Sequence, residues 1–139
     1  MRTLRTIEAT RAAAAGIALT AAAWLVACGP SGVGNAASVS PAELLALQEA
    51  GDAPLLLDVR SVEEFRSGHV PGAVNIPHTE LAARLGEIDA DDAGIVVYCE
   101  RGGRAAQATD VLQRAGFRDV GHLEGDMSGW RADGLPVER

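Results

Sequence analysis

The sequence contains no lysine; its 12 basic residues are all arginines, set against 19 acids. That balance excludes non-specific nucleic-acid binding as a function. There is no internal repeat. The three histidines, His69, His78 and His122, have no metal-ligand spacing, and His78 and His122 no visible partner, so no metal is expected. No apolar run is long enough to span a bilayer comfortably. Residues 12–27 carry no charge, but as a helix they would rise roughly 24 Å, short of the ~30 Å hydrocarbon core. Cysteine is scarce: Cys28 and Cys99 are the two in the chain. At 139 residues, there is room for one small domain.

The N-terminus reads as an export segment. Arg2, Arg5 and Arg11 stand against Glu8, an Ala-rich apolar run follows, and the run closes on small residues. This is the pattern of a secretory signal peptide over residues 1–27. Leu25-Val26-Ala27-Cys28 resembles the bacterial lipobox, which implies that Cys28 is lipidated and becomes the mature N-terminus. The expectation is an exported lipoprotein, anchored to a membrane and facing the periplasm or cell exterior. Loss of three arginines and one acid would leave the mature part with a net charge of -9. Residues 28–39 are small and uncharged and read as a flexible tether; the last 11 of them would span roughly 18 Å as a coil. With Cys28 lipidated, Cys99 has no disulfide partner in the chain. An unpaired thiol in an exported protein is either a functional group or an inert core residue.

The folded part is expected over residues 40–139. Ser40 and Glu43 fit a capping box with Pro41 at the first helical position, for a helix ending at Gly51. Pro54 to Val59 is a short apolar run of strand length. Ser61 and Glu64 offer a second capping box, Val74 and Ile76 a short strand, and Thr79 the cap of a third helix reaching Leu85. Gly94 to Tyr98 is continuous, apolar and β-branched, which predicts a central parallel strand. Arg104 to Ala115 carries Ala105, Ala108, Leu112 and Ala115 on one helical face. Val120 to Leu123 is a last strand, followed by a helical turn with Trp130 in the core or in a pocket wall. Alternating strands and helices predict an α/β fold, a central parallel sheet flanked by helices on both faces.

In such sheets ligands bind outside the carboxyl ends of strands. Cys99 lies at that end of the strongest strand, in Tyr98-Cys99-Glu100-Arg101-Gly102-Gly103-Arg104. Gly102 and Gly103 let the backbone curl so that successive N–H groups converge. The following helix N-terminus, Arg101 and Arg104 add positive charge. All of these favour a thiolate and would bind an anionic group. Asp58 and Arg60 read as supporting residues that tie the loop to the sheet, His69 as a structural turn residue, and Tyr98 as half-buried beside the loop.

These segments resemble the rhodanese family. The resemblance is carried by Leu57-Asp58-Val59-Arg60, by Phe65 to Pro77, by Cys99 to Arg104, and by Leu123-Glu124-Gly125 with Met127-Ser128-Gly129-Trp130. It spans residues 40–137. It implies a single-domain thiosulfate sulfurtransferase in which Cys99 takes the outer sulfur of thiosulfate or a related donor as a persulfide. The backbone of Glu100, Arg101, Gly102, Gly103 and Arg104 would cradle it, and cyanide or a thiol would accept it. No cofactor is implied, and a monomer is expected. Glu100 departs from the basic or neutral residue of many relatives: turned inward it would oppose an anionic donor, turned outward it would not. Asp126 replaces a common glycine and reads as a local loop difference. Two other classes share parts of this pattern. A persulfide carrier or redox-sensing interaction module would need the same thiol. A Cys-dependent phosphatase or arsenate reductase would need Cys-x5-Arg, whereas Arg104 gives Cys-x4-Arg and residue 105 is alanine.

Overall fold

Five strands pair wholly in parallel, in the spatial order Ala37–Val39, Val120–Leu123, Ile95–Tyr98, Leu55–Asp58 and Val74–Asn75. The computed structural model describes residues 37–90 and 94–139. In chain order the elements are β1 (Ala37–Val39), α1 (Pro41–Ala50), β2 (Leu55–Asp58), α2 (Val62–Ser67), β3 (Val74–Asn75), β4 (Ile95–Tyr98), α3 (Gly103–Arg114), β5 (Val120–Leu123) and α4 (Asp126–Ala132). The expected parallel α/β sheet is therefore present. Its central strand is β4, whose four side chains are all buried, as a strand covered on both faces requires.

The two faces have separate cores. On one, Ala105, Ala108 and Leu112 of α3 pack on Leu57, Ile95, Val97 and Val120. On the other, Leu44 of α1 and Met127 and Trp130 of α4 pack on Leu56, Val96, Tyr98 and Leu123. Each fully buried Leu or Met contributes about 1.5–3 kcal/mol of transfer free energy, so these few side chains hold the helices on. Trp130 is a core residue whose indole N–H donates to the Pro136 carbonyl at 2.7 Å.

Local signals set the helix ends. Ser61 and Glu64 form the reciprocal capping box of α2. Ser40 Oγ accepts the Glu43 N–H at the start of α1, and Gly51 closes that helix in the left-handed region. After α3, Gly116 N–H donates to Gln113 and Phe117 N–H to Leu112, a Schellman closure. Phe117 then packs on the α3 core.

Two expectations are corrected. The segment after Thr79 is not a helix but two single 3₁₀ turns, Leu81–Ala83 and Leu85–Glu87, and no side chain caps the first. Its one fully buried side chain is Leu81, too little burial to offset the cost of nucleating a longer helix. The end of the tether is also ordered. Ala37–Val39 pairs with Gly121–Leu123 as the edge strand β1. That pairing depends on Gly121, where a Cβ would lie 3.0 Å from the Ala37 carbonyl oxygen. Cys28 and residues 1–27, expected as a signal peptide, lie outside the described residues.

Candidate active site

β4 delivers Cys99 to the carboxyl edge of the sheet, between the ends of β2 and β5. The residue is almost fully buried, at 1% exposure. Its Sγ accepts the Gly102 N–H at 3.0 Å. Gly102 has φ +93°, in the left-handed region, and is the N-cap of α3. A residue with a Cβ would be strained there. The expected geometry of a strand, a thiol, a glycine-curled loop and a helix N-terminus is thus brought together. Gly103 is the first residue of α3, and Arg101 is exposed.

The flank beside β2 is built from arginine–carboxylate pairs. Arg60 and Asp58 are buried and joined by several hydrogen bonds of 2.7–3.0 Å. Arg60 also donates to the Gly68 carbonyl at 2.8 Å and lies 5.8 Å from the Tyr98 ring centre. Burial pushes the Arg60 guanidinium down, but Asp58 more than offsets this, so its pKa stays above the ordinary value. Asn75 ties the same turn, donating to the Asp58 and Arg60 carbonyls. Tyr98 is fully buried rather than half-buried; its hydroxyl accepts the Val70 N–H, and burial raises its pKa. His69 holds a structural place, stacked on Phe65 with Nδ1 3.0 Å from the Phe65 carbonyl.

Glu100 is drawn to two arginines. Its carboxylate meets Arg60 Nη1 at 3.5 Å and pairs with Arg131 of α4. The acid that the sequence left ambiguous is therefore charge-compensated. Arg104, expected to add charge beside the thiol, interacts with Cys99 and is also paired. It is bidentate to Glu64 of α2, at 2.6 and 2.8 Å. Hydrogen bonds from Arg104, reinforced by its charge, hold the Glu64 carboxyl at about 2, and Glu64 in turn raises the guanidinium.

The flank beside β5 holds residues that sequence reasoning passed over. Asp126 Oδ1 accepts the Cys99 backbone N–H at 2.8 Å, while the Met127 N–H donates to the Cys99 carbonyl and the Ser128 N–H to that of Glu100. His122, expected to lack a partner, has Nε2 3.1 Å from both Asp126 oxygens. Burial pushes the Asp126 carboxyl up, yet hydrogen bonds from His122 and the Cys99 amide outweigh it and keep it below its usual value. The Asp126 hydrogen bond raises His122. Asp126 is therefore not a passive loop difference. Its spacing from His122 would align the two on a helix, but here it crosses a strand end and a turn, so no periodicity exposes it. Among the described residues, no group of His, Cys, Asp and Glu could hold a metal.

Residues 40–133 match the model of the rhodanese-like domain. An HTH-type transcriptional regulator of Mycobacterium tuberculosis is 46% identical over 103 residues, covering 73% of this chain and 44% of the regulator. The chain thus spans less than half the length of that relative. Thiosulfate sulfurtransferase 16, chloroplastic, of Arabidopsis thaliana is 35% identical over 97 residues, covering 59% of this chain and 78% of the relative. A solved human single-domain sulfurtransferase superposes with a TM-score of 0.60 at 32% identity, covering 70% of this chain and 97% of the human one.

Proposed function

The chain belongs to the rhodanese-like domain family, and from that premise we propose that it is a sulfurtransferase working through a persulfide on Cys99. The observation that carries this is the Sγ of Cys99 held at 3.0 Å by the Gly102 N–H, at the mouth of α3. The thiolate attacks the outer sulfur of a donor. The donor's S–S bond breaks and its electron pair leaves with the departing group, sulfite from thiosulfate or a thiol from a persulfide. Cyanide or a thiol then attacks the outer sulfur of the Cys99 persulfide and frees Cys99. Donor N–H groups of residues 100–104, fixed before the reaction, hold the anionic sulfur. The four-residue spacing to Arg104 supports sulfur rather than phosphate or arsenate chemistry.

The test is intact-mass analysis after incubation with thiosulfate or with glutathione persulfide. The wild type gains the mass of one sulfur, and Cys99→Ser does not. An unmodified wild type, or an adduct that persists in Cys99→Ser, refutes the reading.

A second reading, sulfur carriage with loading from a persulfide, is favoured by the charge balance of the site. Glu64 neutralises Arg104, and Glu100 takes up Arg131 and one edge of Arg60. These pairs lower the net positive field that would draw in dianionic thiosulfate. Loading by glutathione persulfide without multiple turnover selects this reading; repeated turnover of thiosulfate rejects it.

Location is proposed from the sequence alone: an exported lipoprotein anchored through Cys28, facing the periplasm or cell exterior. Two or more acyl chains on Cys28 would anchor it stably. Cys28→Ala should move the protein from the membrane to the soluble exported fraction, and unchanged partition rejects the anchor.

A further inference from the structure

The Asp126–His122 pair touches both ends of the sulfur cradle. Asp126 Oδ1 accepts the Cys99 N–H at 2.8 Å. At the other end, a Cβ on Gly102 would lie 3.2 Å from Asp126 Oδ2 and 3.5 Å from His122 Cε1. The residue whose N–H holds Sγ therefore rests on this pair. Asp126 is 4% exposed, and it has φ +52°, the one non-glycine residue at positive φ among the described residues. A buried carboxylate in a backbone conformation that disfavours side chains signals a constraint imposed by function or packing. Here the side chain makes a hydrogen bond to the reactive residue itself.

We propose that Asp126 is a positioning residue for Cys99 and that His122 is its titratable counter-charge, so that the cradle accepts anionic sulfur best when His122 is protonated. The proposal deepens the reading of Cys99 as the sulfur-carrying thiol and rests on it only for the loading arm of the test. With Nε2 carrying its proton, His122 donates to Asp126 in both its charged and neutral forms. Titration then changes the charge under the cradle without moving the hydrogen bond. Below the His122 titration the imidazolium offsets the Asp126 carboxylate. Above it, the carboxylate is an uncompensated anion beside the nest that must hold another anion.

From α3, the Arg104 guanidinium also interacts with Cys99, but it is bidentate to Glu64 and keeps its charge across neutrality. From α4, Asp126 faces His122; from the loop, Cys99 and the Gly102 backbone meet the pair. From β1, Ser38 is the register partner of His122, and its hydroxyl donates to Glu124 at 2.8 Å. The groups that act on the Asp126 carboxyl are His122 and Cys99.

The test is the rate of iodoacetamide alkylation of Cys99 in the full chain, read on the Cys99 peptide so that Cys28 does not contribute. Sulfur loading is followed in parallel. Wild type should exceed His122→Gln by about threefold to tenfold near pH 6, with the two converging near pH 9. In an Asp126→Asn background, which keeps an acceptor for the Cys99 N–H but no longer holds His122 protonated, the effect of His122→Gln near pH 6 should shrink, and none should remain near pH 9. A wild-type to His122→Gln ratio that does not vary with pH overturns the proposal, as does an undiminished His122→Gln effect in the Asp126→Asn background. Alkylation that follows the expected pattern without any sulfur uptake refutes the sulfurtransferase reading and leaves this one standing. Sulfur uptake without the pattern refutes this one alone.

Discussion

The two flanks of the Cys99 loop are stabilised by different chemistries. Beside β2, the partners are Asp58–Arg60, Glu64–Arg104 and Glu100 with Arg60 and Arg131. Arginine stays protonated, so each of these pairs keeps a fixed cation around neutrality, and Arg104 holds the Glu64 carboxyl at about 2. Beside β5, the partners are Asp126 and His122, and a histidine changes charge close to neutrality. One flank is thus a framework that is indifferent to pH where cells live, and the other is a contact whose charge can vary there. Fixed pairs thus hold the loop from one side, and a titratable pair meets it from the other.

The largest loss is expected at the framework. Arg60→Met should cost about 3–5 kcal/mol, because it leaves Asp58 buried without its counter-charge; both partners are at most 1% exposed. Denaturant unfolding measures this, and the loss should be equal near pH 6 and near pH 9 if the flank is indifferent to neutral titration. A smaller effect is expected where the flanks meet. Gly102→Ala should cost about 1–2 kcal/mol for a side chain in the left-handed region, with φ at +93° and Asp126 Oδ2 3.2 Å from the new Cβ. It should also slow sulfur loading, which intact-mass kinetics would report.

Glu64→Gln tests the outer, half-exposed pair. Its cost should be about 0.5–1 kcal/mol, since solvent screens both side chains. The Glu64 carboxyl is lowered to about 2 by Arg104. Its stabilisation is therefore complete above the ordinary carboxyl value and disappears as pH falls toward 2. Wild type and Glu64→Gln should converge in stability over that acid interval and differ constantly at neutrality. The smallest effect is His122→Gln on stability. Asp126 raises His122, so that contribution is complete below the ordinary histidine value and is lost as pH rises through the raised one. A stability difference that grows with rising pH would erase the contrast between the flanks.

Much of this site was legible in the chain. Tyr98 to Arg104 announced a thiol between a β-branched run and a helix, and Ser61 with Glu64 announced the start of α2. What misled was charge counted along the sequence. Arg104 looked like charge for the thiol alone until α2 folded back and placed Glu64 against it, 40 residues away in the chain. Asp126 looked like a loop variation, because its partners arrive from β5 and from the end of β4. Ala37–Val39 looked like a tether, because a three-residue edge strand has no periodicity of its own; only the bare backbone of Gly121 makes it one.

The parallel α/β architecture, the ends of α1, α2 and α3, and the thiol at the end of β4 were all written in the sequence. These follow from local chemistry: apolar runs, caps and glycines act on their neighbours. The tertiary structure alone decided which charges are compensated and which carboxylate carries the Cys99 amide. Those outcomes depend on distances across the sheet edge, where residues remote in the chain come within hydrogen-bond reach and Coulomb energy is decided by proximity.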